Sequence, residues 1–204
     1  MKIENVETMG LHSSIKASKY PMAINTDSCN ELITDRVNSL AKSDKGEGHD
    51  QFLTGIVVNF DLTFSNKAWV ELERYKFINF VSSQSTMHCI RKLDIKKQCN
   101  KYVWNSTINE LREKIKAYNK LIEYQKATPL ESNRYIEISN ALKELYLEIL
   151  YNIPSGFELT ARLSANYRAL KTVYSQRRTH RLPCWQGFCD WIETLEFSEL
   201  ITGK

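Results

Sequence analysis

Three stretches of this sequence predict an α+β fold, an antiparallel sheet covered by long helices. Ile56, Val58, Phe60, Leu62 and Phe64 alternate with Val57, Asn59, Asp61 and Thr63, the period of two expected of a half-buried strand. Between 105 and 151, two runs repeat their apolar residues at three- and four-residue spacing, the signature of amphipathic helices. A basic run, Asn166 to Arg178, reads as part of a further helix.

Taken in order, residues 1–50 show no sustained period. Their one expected element is a short helix over Ser28–Ala41, capped by Asp27 or Ser28, with Leu32, Val37 and Leu40 on its apolar face. A turn-like stretch at 42–50 contains Gly46 and Gly48 and leads into the strand at 56–64. Ser65 and Asn66 can end the strand and cap a helix. Trp69, Val70, Leu72, Tyr75, Phe77, Ile78, Phe80 and Val81 then predict one helix over 67–82, too apolar to be covered on a single face. Ile108, Leu111, Ile115, Tyr118 and Leu121 define a helix at 105–127, capped by Asn105 or Ser106 and closed by Pro129. Tyr135, Ile138, Leu142, Leu145 and Ile149 define a second at 131–151, so the pair reads as a helical hairpin. After Pro154 and Gly156 comes a helix at 158–178, and after Pro183 a short one carrying Trp185, Phe188 and Trp191.

A chain of 204 residues, 42% hydrophobic, can bury one real core, so residues 1–204 are expected to form a single domain with the hairpin at about 105–151 inserted. The formal net charge of +4 is low for a dedicated duplex-DNA binder, and nucleic acid is not an expected partner. No leader-like run opens the chain, and no stretch has the length of apolar sequence a membrane helix requires. Five cysteines without a framework spacing fit free thiols in a reducing cytoplasm. His180, Cys184 and Cys189 lack a fourth ligand and a CxxC pair, so no metal site is expected.

Two constellations could carry chemistry. Asn166 and Arg177 are eleven residues apart, about three helical turns, so they face the same way, and Arg168, Arg178, His180 and Arg181 add charge around them. Guanidinium forks suit phosphate, although cations at a helix C-terminus also answer the helix dipole alone. The second is Arg74-Tyr75-Lys76, followed by Ser82-Ser83-Gln84-Ser85-Thr86-Met87-His88. Its hydroxyls and amide can reach phosphate or ribose oxygens, or can simply cap their own backbone.

Together these segments resemble the flavin-dependent thymidylate synthases. That family's signature is Arg-His-Arg, a spacer, Asn-Glu-Gln-Ser, one residue and Arg-Tyr; here Arg74-Tyr75-Lys76 and the stretch 82–88 occupy its two parts. Asn166-Tyr167-Arg168 and Arg177 match the order and spacing of its late helix, and His49 stands where the family often has a His. The likeness covers 48–91 and 159–191, under half the chain. Met87 and His88 stand in place of Arg and Tyr, and Glu71 in place of Gln, so specificity is expected to have shifted. The chain also resembles proteins of bacterial viruses and their hosts that share the 82–88 element.

The resemblance implies a thymidylate-synthase-complementing-like fold and a homotetramer with FAD as cofactor. It implies nucleotide contacts from Arg74, Lys76, Gln84, Ser85, His88, Arg177 and Arg178, and cofactor contacts from His49, Tyr75, Asn166 and Arg168. Three functions follow: a flavin enzyme acting on a pyrimidine deoxynucleotide, a non-catalytic nucleotide-binding or sequestering protein of viral origin, and a structural or interaction protein.

Overall fold

The computed structural model describes residues 1–44, 46–130 and 132–204. Lys45, in the expected turn at 42–50, and Glu131, the expected first residue of the second long helix, lie outside the described residues. The chain divides into two compact units. The first comprises 1–64, 68–83 and 160–204, and the second 65–67 and 84–159.

A four-stranded sheet organises the first unit. Its strands are β1 (Lys2–Met9), β2 (Val57–Ser65), β3 (Ile78–Ser83) and β4 (Glu158–Asn166), in the spatial order β1-β2-β4-β3. β1 runs antiparallel to β2, and β3 to β4. The Thr63–Thr160 hydroxyl contact at 2.8 Å and the Tyr167 N–H donated to the Ile56 carbonyl at 3.0 Å show that β2 and β4 are also antiparallel. The expected α+β class and antiparallel sheet are both present. Val58, Phe60, Leu62 and Phe64 are fully buried, as their alternation requires.

Helices α1 (Leu11–Ala17) and α2 (Asp35–Lys42) precede β2, and α3 (Asn66–Leu72) follows it. The second unit holds α4 (Thr86–Cys89), α5 (Ile95–Gln98), α6 (Asn105–Lys126) and α7 (Asn133–Tyr151). Then come α8 (Tyr167–Arg177), α9 (Pro183–Ile192) and α10 (Glu199–Thr202), all in the first unit. The first core sets the inward face of β2 against Trp185, Phe188 and Trp191 of α9; the Phe64 and Trp185 rings meet edge-on at 5.2 Å.

In the second unit, α6 and α7 form the expected antiparallel hairpin. Gln125 donates to Ser139 Oγ at 2.8 Å near one end, and Lys114 pairs with Glu148 at 2.7 Å near the other. Ile108, Leu111, Ile115 and Ile149 pack with Ile90, Ile95 and Phe157 into a separate core. The N-cap of α6 is Trp104 rather than Asn105 or Ser106.

Four expectations are overturned. The helix expected at 67–82 stops at Leu72. Tyr75 N–H closes a turn onto the Leu72 carbonyl at 2.9 Å, and the chain re-enters the sheet as β3. The run from Phe77 to Val81 is aromatic and β-branched, a composition that favours a strand once a neighbour offers a ladder. The helix expected at 158–178 is half strand. Ala161, Leu163 and Ala165 alternate inward along β4, and Asn166 begins α8 by accepting the Ala169 N–H at 2.8 Å. The helix expected at 28–41 begins only at Asp35, capped by the Thr34 hydroxyl. Residues 1–50 are not irregular: β1 is held mainly by its ladder to β2, with only Ile3 and Thr8 partly covered, so its residues carry no strong periodicity.

Candidate functional site

The candidate site is a cavity of about 580 Å³ within the first unit. It is built mainly by the 3₁₀ segment His49–Gly55 with Gly46 before it, the loop from Glu73 to Phe77, and α8 with its cap Asn166. The 3₁₀ segment is anchored by Leu53, fully buried. Gly10 takes a φ of 74° at the start of α1, and a Cβ there would lie 2.2 Å from the Gly55 carbonyl oxygen. Only glycine allows that approach, and it fixes the end of the segment that carries Asp50.

Asp50 is 2% exposed and lines the cavity. Lys171 Nζ donates to its Oδ2 at 2.9 Å and to the Ser43 carbonyl at 2.8 Å. Arg168 Nε lies 2.9 Å from Oδ1, but the N–H does not point along the contact, so Oδ1 accepts no hydrogen bond and the pairing is electrostatic. Arg168 also donates to Gln51 Oε1 at 2.8 Å. Arg168 and Lys171 are three residues apart on α8, so one carboxylate can hold both.

Arg177 closes the opposite end of α8. Its Nε donates to the Tyr75 hydroxyl at 2.8 Å and its Nη1 to Glu71 Oε2 at 3.1 Å. Trp185 Nε1 donates to the same oxygen at 2.9 Å, and His180 Nε2 stands 3.4 Å from it. The guanidinium also lies over the Trp185 ring, 4.7 Å from its centroid. Tyr75 passes its own hydroxyl proton to Gln176 Oε1 at 3.0 Å. Arg177 lines the cavity with its charge already answered by Glu71.

Arg74 and Lys76 differ. Both line the cavity, both are exposed, and neither has a carboxylate partner among the described residues. They sit on either side of Tyr75, which Arg177 holds in place.

Of the residues singled out from sequence, Arg74, Tyr75, Lys76, Asn166, Arg168 and Arg177 line this one cavity. Three of these carry structural duties as well: Asn166 caps α8, Arg168 grips Asp50 and Arg177 grips Glu71. Arg178 turns to Asp190 at 2.6 Å and Glu193 at 3.3 Å and does not line the cavity; His49 is exposed and does not line it either. Gln84, Ser85 and His88 belong to the second unit, where Ser85 is the N-cap residue of α4 and His88 is exposed. Burial pushes the Cys184 thiol up and the Cys189 thiol up to about 11.

Asp50 and Lys171 were not singled out from sequence. The available signals were an acid at the foot of an apolar strand and a Lys one turn beyond Arg168. Neither signal specifies a partner more than a hundred residues away.

No protein-family model matches the chain, and no curated protein matches it. Solved structures do. Thymidylate synthase X from Helicobacter pylori with FAD and dUMP superposes with a TM-score of 0.68 at 12% identity, over 99% of this chain and 97% of that one. A second structure of the flavin-dependent enzyme from the same organism, also with FAD and dUMP, gives 0.64 at 15% identity over the same shares. A UMP/dUMP methylase from Streptomyces cacaoi bound with 5-bromo-dUMP gives 0.52 at 16%, over 95% and 89%. The chain therefore has the fold of the flavin-dependent thymidylate synthases.

Proposed function

We propose that the first unit binds a nucleotide, with its phosphate held by Arg74 and Lys76. The observation that carries this reading is the contrast within the cavity: its other cations are answered by Asp50 or Glu71, while these two are exposed and unanswered. A phosphate dianion supplies the missing charge. Tyr75 and Phe77, on the same loop, offer ring faces to a base. The cavity volume lies within the ordinary range for small-molecule sites. Similar structures hold dUMP or 5-bromo-dUMP, which makes a pyrimidine nucleotide the first ligand to test.

The donor set also fits FAD. Its phosphates match Arg74, Lys76 and Arg168, and its rings match Tyr75. When bound, a flavin supplies redox chemistry that side chains lack. Asn166, Arg168 and Tyr75 would hold and orient it. A second reading, nucleotide binding without turnover, is favoured by the Glu71–Arg177 pair, which neutralises a cation at the cavity wall.

The homotetramer is proposed on β3. On this edge strand Val81 is 65% exposed, and Phe77 just before it is 74% exposed. Five free cysteines support a reducing compartment such as the cytoplasm. Among the described residues, no helix is long and apolar enough to cross a membrane.

Thermal unfolding with and without dUMP, UMP and FAD tests the reading. A ligand at one hundred times its Kd raises stability by about 2.7 kcal/mol. The double variant Arg74→Ala/Lys76→Ala should lose that gain while unfolding normally without ligand. Equal stabilisation of variant and parent would sink the assignment. A visible absorption spectrum of the purified protein decides whether flavin is retained.

A further inference from the structure

The second unit carries a surface with the opposite charge arrangement. Between Gln84 and Trp104 there are five Lys or Arg residues and one Asp. That net +4 equals the formal net charge of the whole chain, so the remaining sequence is balanced. Arg91, Lys92, Lys96, Lys97 and Lys101 are all exposed. Among the described residues, the only carboxylate within ion-pair distance of any of them is Asp94, 3.8 Å from Lys97. Asp94 is itself occupied, accepting the Lys96 and Lys97 backbone N–H groups at 3.1 and 3.3 Å as the cap of α5.

Two large aromatic side chains stand among these cations. Tyr102 is 68% exposed and Trp104 is 78% exposed. Lys101 Nζ lies over the Tyr102 ring, 5.2 Å from its centroid. The backbone beneath is held in place. Ile90 and Ile95 are buried in the second core, and Leu93, Cys99 and Val103 pack against it. Asn100 donates its N–H to the Gly156 carbonyl at 3.0 Å, and its side chain accepts the Tyr102 N–H at 3.1 Å. The platform is packed onto the second core while its cations and rings are exposed.

We infer that this surface binds single-stranded nucleic acid. Unpaired cations attract the phosphates, and exposed ring faces stack on bases, the combination that single-strand binders use. Ile90 and Ile95 turn inward into the second core, so the large apolar groups the segment exposes are Met87 and the two aromatic rings rather than an aliphatic stripe. The low overall charge that argued against a duplex binder is compatible with this, because the charge is concentrated rather than spread. The inference is independent of the nucleotide cavity.

The test is fluorescence anisotropy of the full chain with labelled RNA and DNA single strands of about 20 nucleotides, beside the matching duplex and phosphatidylserine vesicles. Single strands should bind most tightly. Trp104→Ala should weaken binding about 5- to 100-fold. Lys96→Ala/Lys97→Ala should reduce the slope of log affinity against log salt by about 1.4, near 0.7 per lost phosphate contact. No single-strand binding at low salt would overturn the proposal. So would equal or tighter binding of duplex or vesicles, or binding that survives loss of both Trp104 and Tyr102.

Discussion

The cations of α8 and those of the segment 91–104 are the same residue types on two units of one chain, yet their surroundings are opposite. Arg168 and Lys171 share Asp50, Arg177 has Glu71, and Arg178 has Asp190 and Glu193. Arg91, Lys92, Lys96 and Lys101 have no carboxylate within ion-pair distance among the described residues. For Arg168, Lys171 and Arg177 the pairing follows burial, since each meets a carboxylate that is largely withdrawn from water. A charge removed from water requires a counter-charge or it destabilises the fold, whereas a charge left in water requires nothing. The paired Arg168, Lys171 and Arg177 therefore build the cavity wall, and the unpaired cations, with Arg74 and Lys76 at the cavity, remain available to a ligand.

If that distinction holds, removing an internal counter-charge should cost most. Asp50→Ala leaves Lys171 and Arg168 facing each other without their shared anion, and should cost about 3 kcal/mol in urea denaturation. A loss within ~0.5 kcal/mol would mean the two cations do not depend on Asp50. Glu71→Gln keeps an acceptor for Trp185 and Arg177 but removes the charge. It should convert Arg177 from a paired to an available cation and tighten dUMP binding about fivefold, near 1 kcal/mol, in a calorimetric titration. Weaker binding would show that Glu71 positions Arg177 for the ligand instead of competing with it.

Tyr75→Phe removes the hydroxyl that accepts from Arg177 and donates to Gln176, and should cost about 1 kcal/mol of stability. The alkaline limb offers a pH test in the same unit. Burial raises the folded Cys189 thiol to about 11, above its unfolded value near 8.5. Between those values the unfolded chain has released a proton that the folded chain retains, so stability is full below the lower value and falls as pH rises towards the upper one. Cys189→Ala should flatten that decline in thermal midpoints measured from pH 8 to about 11. The smallest effect belongs to the unpaired set: Lys96→Ala/Lys97→Ala should change unfolding by less than ~0.5 kcal/mol. A larger loss would show that these lysines support the fold.

Legibility follows the same division between local and distant. β2 was expected at 56–64 and spans Val57–Ser65, and the long helices lie within a few residues of their expected bounds. Each declares its period within its own length. The segments 67–82 and 158–178 were misread because a short aromatic or small-residue run fits either period until a neighbouring strand supplies a ladder. Six candidate site residues were legible as residue types and as a family-like order, and the resemblance implied that they meet in one site; spacing within the sequence did not.

What the sequence determined by itself is what repeats locally: the alternation of β2, the apolar stripes of α6 and α7, and the cluster of lysines beside Tyr102 and Trp104. What only the tertiary structure decided is which charges are answered. Asp50 meets Arg168 and Lys171, and Glu71 meets Arg177, across separations of more than a hundred residues, because the fold brings the 3₁₀ segment before β2, the end of α3 and α8 together. No local pattern encodes such a meeting, and it alone separates the cations that hold the fold from those left for a ligand.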